Sequence, residues 1–322
     1  MKVKPPTTAL HASIPYMGSK RDIAYSLIIA MHQKKPQATV FFDLFGGGGA
    51  MSFMALQFGY KVVYNEINTG LYNLIKFLQY NKIPDEWWQW VSREKFFMCL
   101  GKTDAYSQYV SSIWSFGNNG RTYIFGEKAE GLKRLGHEYV VNSCEESRQK
   151  INKQLNINLP EIETTDKKVR RIIMLKHINS EKTKQNAKQL RKLQQLQQLE
   201  QLERLQRLEQ LEQLERLERL ERLELTNLSY LDVNVNTKIE DTIIYCDPPY
   251  KNTEKYNKRT KGAGYSFSHR ELDEWFKQIP YTAFMSEYDS PHTCIFTIDK
   301  RSLYSSTNNS TVKKERLYWN NK

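Results

Sequence analysis

Apolar and polar positions divide this chain into two ends of α/β character and a long polar middle. Residues 39–44 (TVFFDL) form a short β-branched and aromatic run, which Gly46 to Gly49 interrupt. Residues 50–58 have helical character and residues 61–64 (KVVY) read as a second strand, completing a βαβ unit. Nearer the C-terminus, residues 242–246 (TIIYC) predict a strand that ends at a Pro-Pro turn. Ser268 and Glu271 stand three apart as a capping box, which predicts a helix through Phe276. Residues 282–285 and 294–298 are further strand candidates. Strands alternating with helices predict a doubly wound parallel sheet, whose ligand crevice lies beyond the carboxyl ends of its strands.

A different pattern fills the stretch before the second α/β segment. Leucine recurs at every third position from Leu190 to Leu223, with Glu, Gln and Arg in nearly every gap. On an α-helix, at about 100° per residue, each leucine falls about 60° behind the last, so no fixed apolar stripe results. A coiled coil needs an average spacing of about 3.5, and a 3₁₀-helix, which would align the leucines, rarely exceeds about 3–4 residues. The residues are strong helix formers, so a solvated helical insertion is expected, with a leucine-lined strand or solenoid coil as the rival.

Composition narrows the partner. The 322 residues suffice for one large domain or two modest ones, and 48 Lys+Arg against 36 Asp+Glu give a net charge of +12. The leucine array, residues 190–224, is nearly neutral, with seven basic and eight acidic residues, and it lowers the mean hydropathy to -0.67. Residues 71–189 hold twenty basic and thirteen acidic residues, over half of the excess, so polyanion contact is expected there. Within it, residues 106–126 (YSQYVSSIWSFGNNGRTYIFG) suit a shaped loop that touches bases or backbone through Asn118, Asn119 and Arg121. The same composition equally suits an aromatic core hairpin. The four cysteines lie far apart without a CxxC, so neither a disulfide framework nor a metal site is expected. The N-terminus lacks an apolar leader core and no apolar run approaches the roughly 20 residues of a membrane span. A cytoplasmic protein that does not engage membranes is the expectation.

Three motifs carry candidate chemistry. Gly46 to Gly49 follow a strand and open a helix, which lets bare backbone approach a nucleotide-like ligand. Glu66, at the end of the next strand, can accept hydrogen bonds from ribose hydroxyls. Met51 stands at the third glycine position of GxGxxG, which weakens a dinucleotide dehydrogenase, and the absence of GK[ST] argues against a phosphate-cradling hydrolase. Tyr16-Met-Gly-Ser-Lys20 precedes a helix that Ser19 and Asp22 would cap, making an anion-binding corner to which Lys20 adds a cation. Asp247-Pro248-Pro249-Tyr250 places a carboxylate, a turn without amide donors and an aromatic ring at a strand's carboxyl end. An exocyclic amine can donate to the Asp247 carboxylate and the Pro248 carbonyl while Tyr250 stacks on its ring, leaving the nitrogen lone pair aimed outward at an electrophile.

In this order, Tyr16-Met-Gly-Ser-Lys20, Phe42-Asp-Leu-Phe-Gly-Gly-Gly-Gly49, Glu66 and Asp247-Pro-Pro-Tyr250 resemble the motifs of Dam-class DNA adenine N6-methyltransferases. The resemblance implies a Rossmann-like methyltransferase sheet with a smaller inserted recognition domain. Residues 10–85 and 225–322 would be the halves of the catalytic domain, residues 86–188 the target-recognition domain, and residues 189–224 an added leucine-triplet insertion. It further implies S-adenosylmethionine as cofactor, duplex DNA as partner and N6 of a flipped adenine as methyl acceptor. Tyr16, Lys20, Phe45, Gly46, Gly48, Glu66 and Asp247 would serve the cofactor. Asp232, in the looser Ser229-Tyr-Leu-Asp232 motif, would approach its adenine ring, and Asp247 to Tyr250 would hold the target base. Cytosine N4 and RNA adenine present similar amines and are the nearest alternatives. A catalytically silent nucleic-acid-binding scaffold is the more distant one, disfavoured because Asp247, Pro248 and Tyr250 are all present. Oligomeric state is open.

Overall fold

In the computed structural model, which describes residues 3–16, 18–182, 220–250, 267–301 and 312–322, two adjacent strands form the centre of a seven-stranded sheet. These are β1 (Val40–Asp43) and β4 (Thr242–Cys246), paired in parallel from Val40 opposite Thr242 to Asp43 opposite Tyr245. On one side β1 pairs with β2 (Lys61–Asn65), and β2 with β3 (Leu223–Thr226), both in parallel. On the other side β4 pairs in parallel with β5 (Thr282–Glu287). The last two strands, β6 (Thr293–Arg301) and β7 (Val312–Trp319), form an antiparallel pair, with β7 inserted beside β5. The spatial order is therefore β3-β2-β1-β4-β5-β7-β6.

The sheet is doubly wound as expected, except that β7 runs antiparallel to its neighbours, and the reason for the reversal is local. A short connection between β6 and β7 allows antiparallel pairing, whereas a parallel return needs a crossover of a dozen or more residues. The topological switch point survives: β2 follows β1 to one side and β4 lies on the other, so the crevice opens beyond the carboxyl ends of β1 and β4.

Both faces of the central strands are covered, which is why they are apolar without alternation. Phe41 and Tyr245 stack on one face, against which α2 (Ala50–Phe58) packs after α1 (Ala24–Lys34). On the other, Phe42, Ile244 and Cys246 pack with Leu272 and Phe276 of a late helix (His269–Gln278). That helix, numbered α9 below, starts as its capping box predicts: the Ser268 side chain accepts a hydrogen bond from the Glu271 amide at 3.2 Å. Helix α3 (Thr69–Tyr80) follows β2 and is capped by Asn68, whose Oδ1 accepts from the amides of Gly70 and Leu71.

The box expected from Ser19 and Asp22 does not form. Ile23 and Ala24 donate to the Lys20 carbonyl in a turn, Asp22 pairs with Arg21 at 3.2 Å, and α1 begins at Ala24 without a side-chain cap. Most of the leucine array, residues 190–219, lies outside the described residues, so its expected helix is not described. Its end is described: Leu220 and Leu223 are buried, and β3 begins at Leu223, inside the array.

The chain divides into two compact units, one of residues 1–13, 18–80 and 216–322, the other of residues 14–17 and 81–215. The first contains the sheet. The second contains α4 (Arg93–Cys99), α5 (Ala105–Ile113), α6 (Glu127–Asn142), α7 (Glu145–Leu155) and α8 (Lys167–Lys182). Its core is aromatic: Trp90 stacks on Phe125 at 5.2 Å and meets Trp114 edge-on, and Trp87 lies 4.6 Å from Tyr109. Among the described residues no helix is long and apolar enough to cross a membrane.

Candidate active site

The glycine loop begins where β1 ends. Gly46 has no room for a side chain, since a Cβ there would overlap the Tyr64 ring. Tyr64 in turn donates its hydroxyl to the Gly47 carbonyl at 2.8 Å, so the ring props the loop from beneath. Gly49, with φ +79°, holds the left-handed turn that opens α2, a conformation that costs other residues roughly 1–2 kcal/mol. Glu66 closes the loop from the end of β2: its carboxylate accepts from the Gly47 amide at 2.7 Å and the Asn68 amide at 2.8 Å. Phe45, half-buried, lies 5.2 Å from the ring of Tyr230 and meets Phe267 edge-on. Gly48 is buried in the loop, and Asp232 is exposed in the turn closed by its amide and the Ser229 carbonyl.

Beneath the loop stands a carboxyl group that sequence reading did not single out. Asp43, the last residue of β1, is 1% exposed and accepts a hydrogen bond from the Ser52 hydroxyl at 2.7 Å. Its other oxygen has no hydrogen-bond partner among the described residues. Burial, and then the charges of Asp247 and Glu66, push its pKa up to about 7, against the opposing bond from Ser52. A charged residue in an otherwise apolar strand was the available signal.

The end of β4 brings the second motif to the same side of the switch point. Asp247 receives the Lys20 ammonium on both carboxylate oxygens, at 2.6 and 2.7 Å, and the third ammonium hydrogen reaches the Gly18 carbonyl at 3.3 Å. Lys20 is only 4% exposed and also lies 3.7 Å from Glu315 of β7. Burial opposes its charge, but Asp247 and Glu315 outweigh that and hold its pKa above the ordinary value. This corrects the expected anion-binding corner: the Lys20 cation is turned inward onto carboxylates, and no capped helix N-terminus stands beside it. The same ammonium sits 4.7 Å from the centre of the Tyr250 ring, which Tyr288 meets edge-on at 4.6 Å. Tyr250 donates its hydroxyl to Glu315, and burial, then the charges of Asp247 and Glu315, hold its pKa well above the ordinary value. Pro248 is buried and Pro249 half-buried between them.

The structure thus brings together Lys20, Asp247 and Tyr250, and around the glycine loop Phe45, Gly46, Gly48 and Glu66. Tyr16 is half-buried and belongs to the second unit. Glu315 and Tyr288 have no local sequence signal, because each reaches the site through strand pairing.

In the second unit, residues 106–126 form the aromatic core expected as one alternative and also carry an exposed turn. Trp114, Tyr123, Ile124 and Phe125 are core, while an antiparallel bridge between Ser115 and Tyr123 carries a turn with Phe116, Arg121 and Thr122 exposed at its tip and the Asn118 Oδ1 buried. At the tip, Asn119 Oδ1 accepts from the amides of Arg121 and Thr122, shaping the turn. Asn118 adopts φ +55°, Arg121 is exposed, and Phe116 is 49% exposed beside them.

No curated protein matches the chain significantly. The model of the D12 class N6 adenine-specific DNA methyltransferase family does, over residues 16–318, a span that takes in both α/β segments and everything between them. On that match the chain belongs to the D12 class N6 adenine-specific DNA methyltransferases, enzymes that methylate adenine N6 in DNA.

Proposed function

We propose that this methyltransferase takes its methyl group from S-adenosylmethionine and acts at particular sites on an adenine flipped out of duplex DNA. The first unit would hold cofactor and target base, and the second would contact DNA. The Lys20–Asp247 pair carries this reading. It fixes an ionised carboxylate beyond the end of β4, at the switch point shared with the bare backbone of the glycine loop.

The residues fit such a cofactor. Glu66, whose carboxylate already accepts the amides of Gly47 and Asn68, stands at the loop as an acceptor for ribose hydroxyls. Gly46 and Gly48 set backbone without side chains where the methionine moiety would pass, Phe45 offers an aromatic surface, and exposed Asp232 offers an acceptor to the cofactor's adenine amine. Lys20 serves the cofactor through Asp247, and Tyr16 completes the set by resemblance to the family. The bound cofactor supplies an electrophilic methyl on a sulfonium.

Asp247 accepts one N6 hydrogen, and the Pro248 carbonyl accepts the other. Because Pro248 and Pro249 carry no amide hydrogen, neither competes for these acceptors, and their rings hold the turn rigid. Both bonds draw the N6 lone pair out of ring conjugation and direct it at the methyl, while Tyr250 stacks on the base. Lys20 keeps Asp247 oriented and charged throughout. Flipping costs a few kcal/mol, which stacking and phosphate contacts offset. Asn118, Asn119 and Arg121, on this turn of a basic unit, are the DNA contacts this reading assigns.

Unmethylated duplex DNA incubated with the enzyme and labelled S-adenosylmethionine, then digested to nucleosides, should yield N6-methyladenine. Label in N4-methylcytosine alone, or in RNA but not DNA, would reject the reading, and single-molecule sequencing of the product would give the site.

A further inference from the structure

Glu315 is an uneconomical residue to bury. It is 1% exposed on β7, and one carboxylate oxygen has no hydrogen-bond partner among the described residues. Its other oxygen accepts the Tyr250 hydroxyl, with the Lys20 ammonium 3.7 Å away. An apolar side chain of similar volume is often as stable or more so in such a place, so packing alone does not account for a carboxylate there. Its position does. Strand β7 is the reversed strand inserted beside β5, and it delivers Glu315 to a segment 65 residues earlier in the chain. There the carboxylate meets the two groups that flank Asp247: the ammonium that orients it and the ring three residues after it.

We propose that Glu315 is a positioning residue for methyl transfer, which acts by anchoring the Tyr250 ring against Lys20 so that the target base stacks in register with Asp247. The inference rests on the reading that Tyr250 contacts the base. A hydrogen bond fixes the far end of the ring, the ammonium lies over it, and the Tyr288 edge closes a further side. Without the anchor the ring turns about its side-chain torsions, and the base it supports moves relative to the acceptors on Asp247 and Pro248. Displacement of about 1 Å at a reacting centre costs on the order of 100-fold in rate.

The test is a mutant cycle read by single-turnover transfer of labelled methyl to unmethylated genomic DNA, with cofactor affinity measured separately by titration with S-adenosylhomocysteine. Glu315→Ala should slow transfer by about 10- to 100-fold, the range expected for a hydrogen bond to a charged group, and leave cofactor affinity within about twofold. Glu315→Gln keeps an acceptor for the hydroxyl and should recover most of the rate. Adding Tyr250→Phe to Glu315→Ala should cost nothing further, since both remove the same bond. Transfer at the wild-type rate in Glu315→Ala, or losses that multiply in the double variant, would overturn the proposal. So would an equal loss of cofactor affinity. If Glu315→Ala does not fold, Tyr250→Phe alone removes the same bond and should slow transfer by the same 10- to 100-fold, and an undiminished rate there overturns the proposal. Tyr250→Ala separates the two levels: undiminished transfer there removes Tyr250 from the site, whereas its loss beside unaffected Glu315 variants rejects Glu315 alone.

Discussion

Asp43 makes the pH dependence of stability calculable. Its carboxyl is buried beneath the glycine loop, with Asp247 and Glu66 nearby, and its pKa rises from an ordinary 3.8 to about 7. Between those values the folded protein keeps a proton that the unfolded chain has released. Stability must therefore fall as pH rises from about 4 to 7 and level off above it. Each tenfold change in proton affinity is about 1.4 kcal/mol, so the full effect is about 4 kcal/mol. Asp43→Asn removes the titration while keeping an acceptor for the Ser52 hydroxyl. Guanidinium unfolding followed by tryptophan fluorescence, at fixed ionic strength and without cofactor or DNA, gives stability for both proteins from pH 4.5 to 8. Subtracting one curve from the other cancels groups the substitution leaves alone. The wild type should lose stability relative to Asp43→Asn by about 3–4 kcal/mol across that range. Parallel curves would refute the reasoning, because they would mean that Asp43 ionises normally.

Asp247→Asn should cut single-turnover methyl transfer by about 100-fold or more, with a wild-type circular-dichroism spectrum. Asp247→Ala also leaves Lys20 buried with only Glu315 opposite, and should lower the melting temperature as well. Gly46→Ala drives a methyl group into the Tyr64 ring and should cost about 1–3 kcal/mol in denaturant unfolding, with weakened cofactor binding by titration. Arg121→Ala should weaken DNA binding and reduce the slope of affinity against salt by about one ion in fluorescence anisotropy. Deleting residues 199–216 should preserve folding and methylation, whereas extending the deletion through Leu223 removes two buried leucines and the start of β3, and should unfold the first unit in circular dichroism.

Much of the first unit was legible because its determinants are local. The apolar run of β1, the glycines after it, α2 and the Ser268 cap each depend on residues within about one turn of one another. The cap expected from Ser19 failed because a turn closed on the Lys20 carbonyl and Asp22 engaged Arg21 instead. The reversed strand escaped notice because residues 312–319 (VKKERLYW) carry four charged residues in a row and a single β-branched one, so their local preference does not read as a strand. Leu223 read as the end of a repeat, although its burial depends on β2, some 160 residues away.

The motifs, their order and the placement of basic charge are read from composition and spacing, and the resemblance of those motifs to the Dam-class enzymes indicated an adenine methyltransferase and its candidate residues. Side-chain roles within the site did not follow. Lys20 looked like a cation waiting for a ligand, yet it lies against Asp247, 227 residues distant, and Glu315 reaches Tyr250 only through the pairing of β7 with β5. Local propensity acts over a few residues, whereas the partner of a buried charge is chosen by sheet register and core packing, which join distant segments only when the chain is folded.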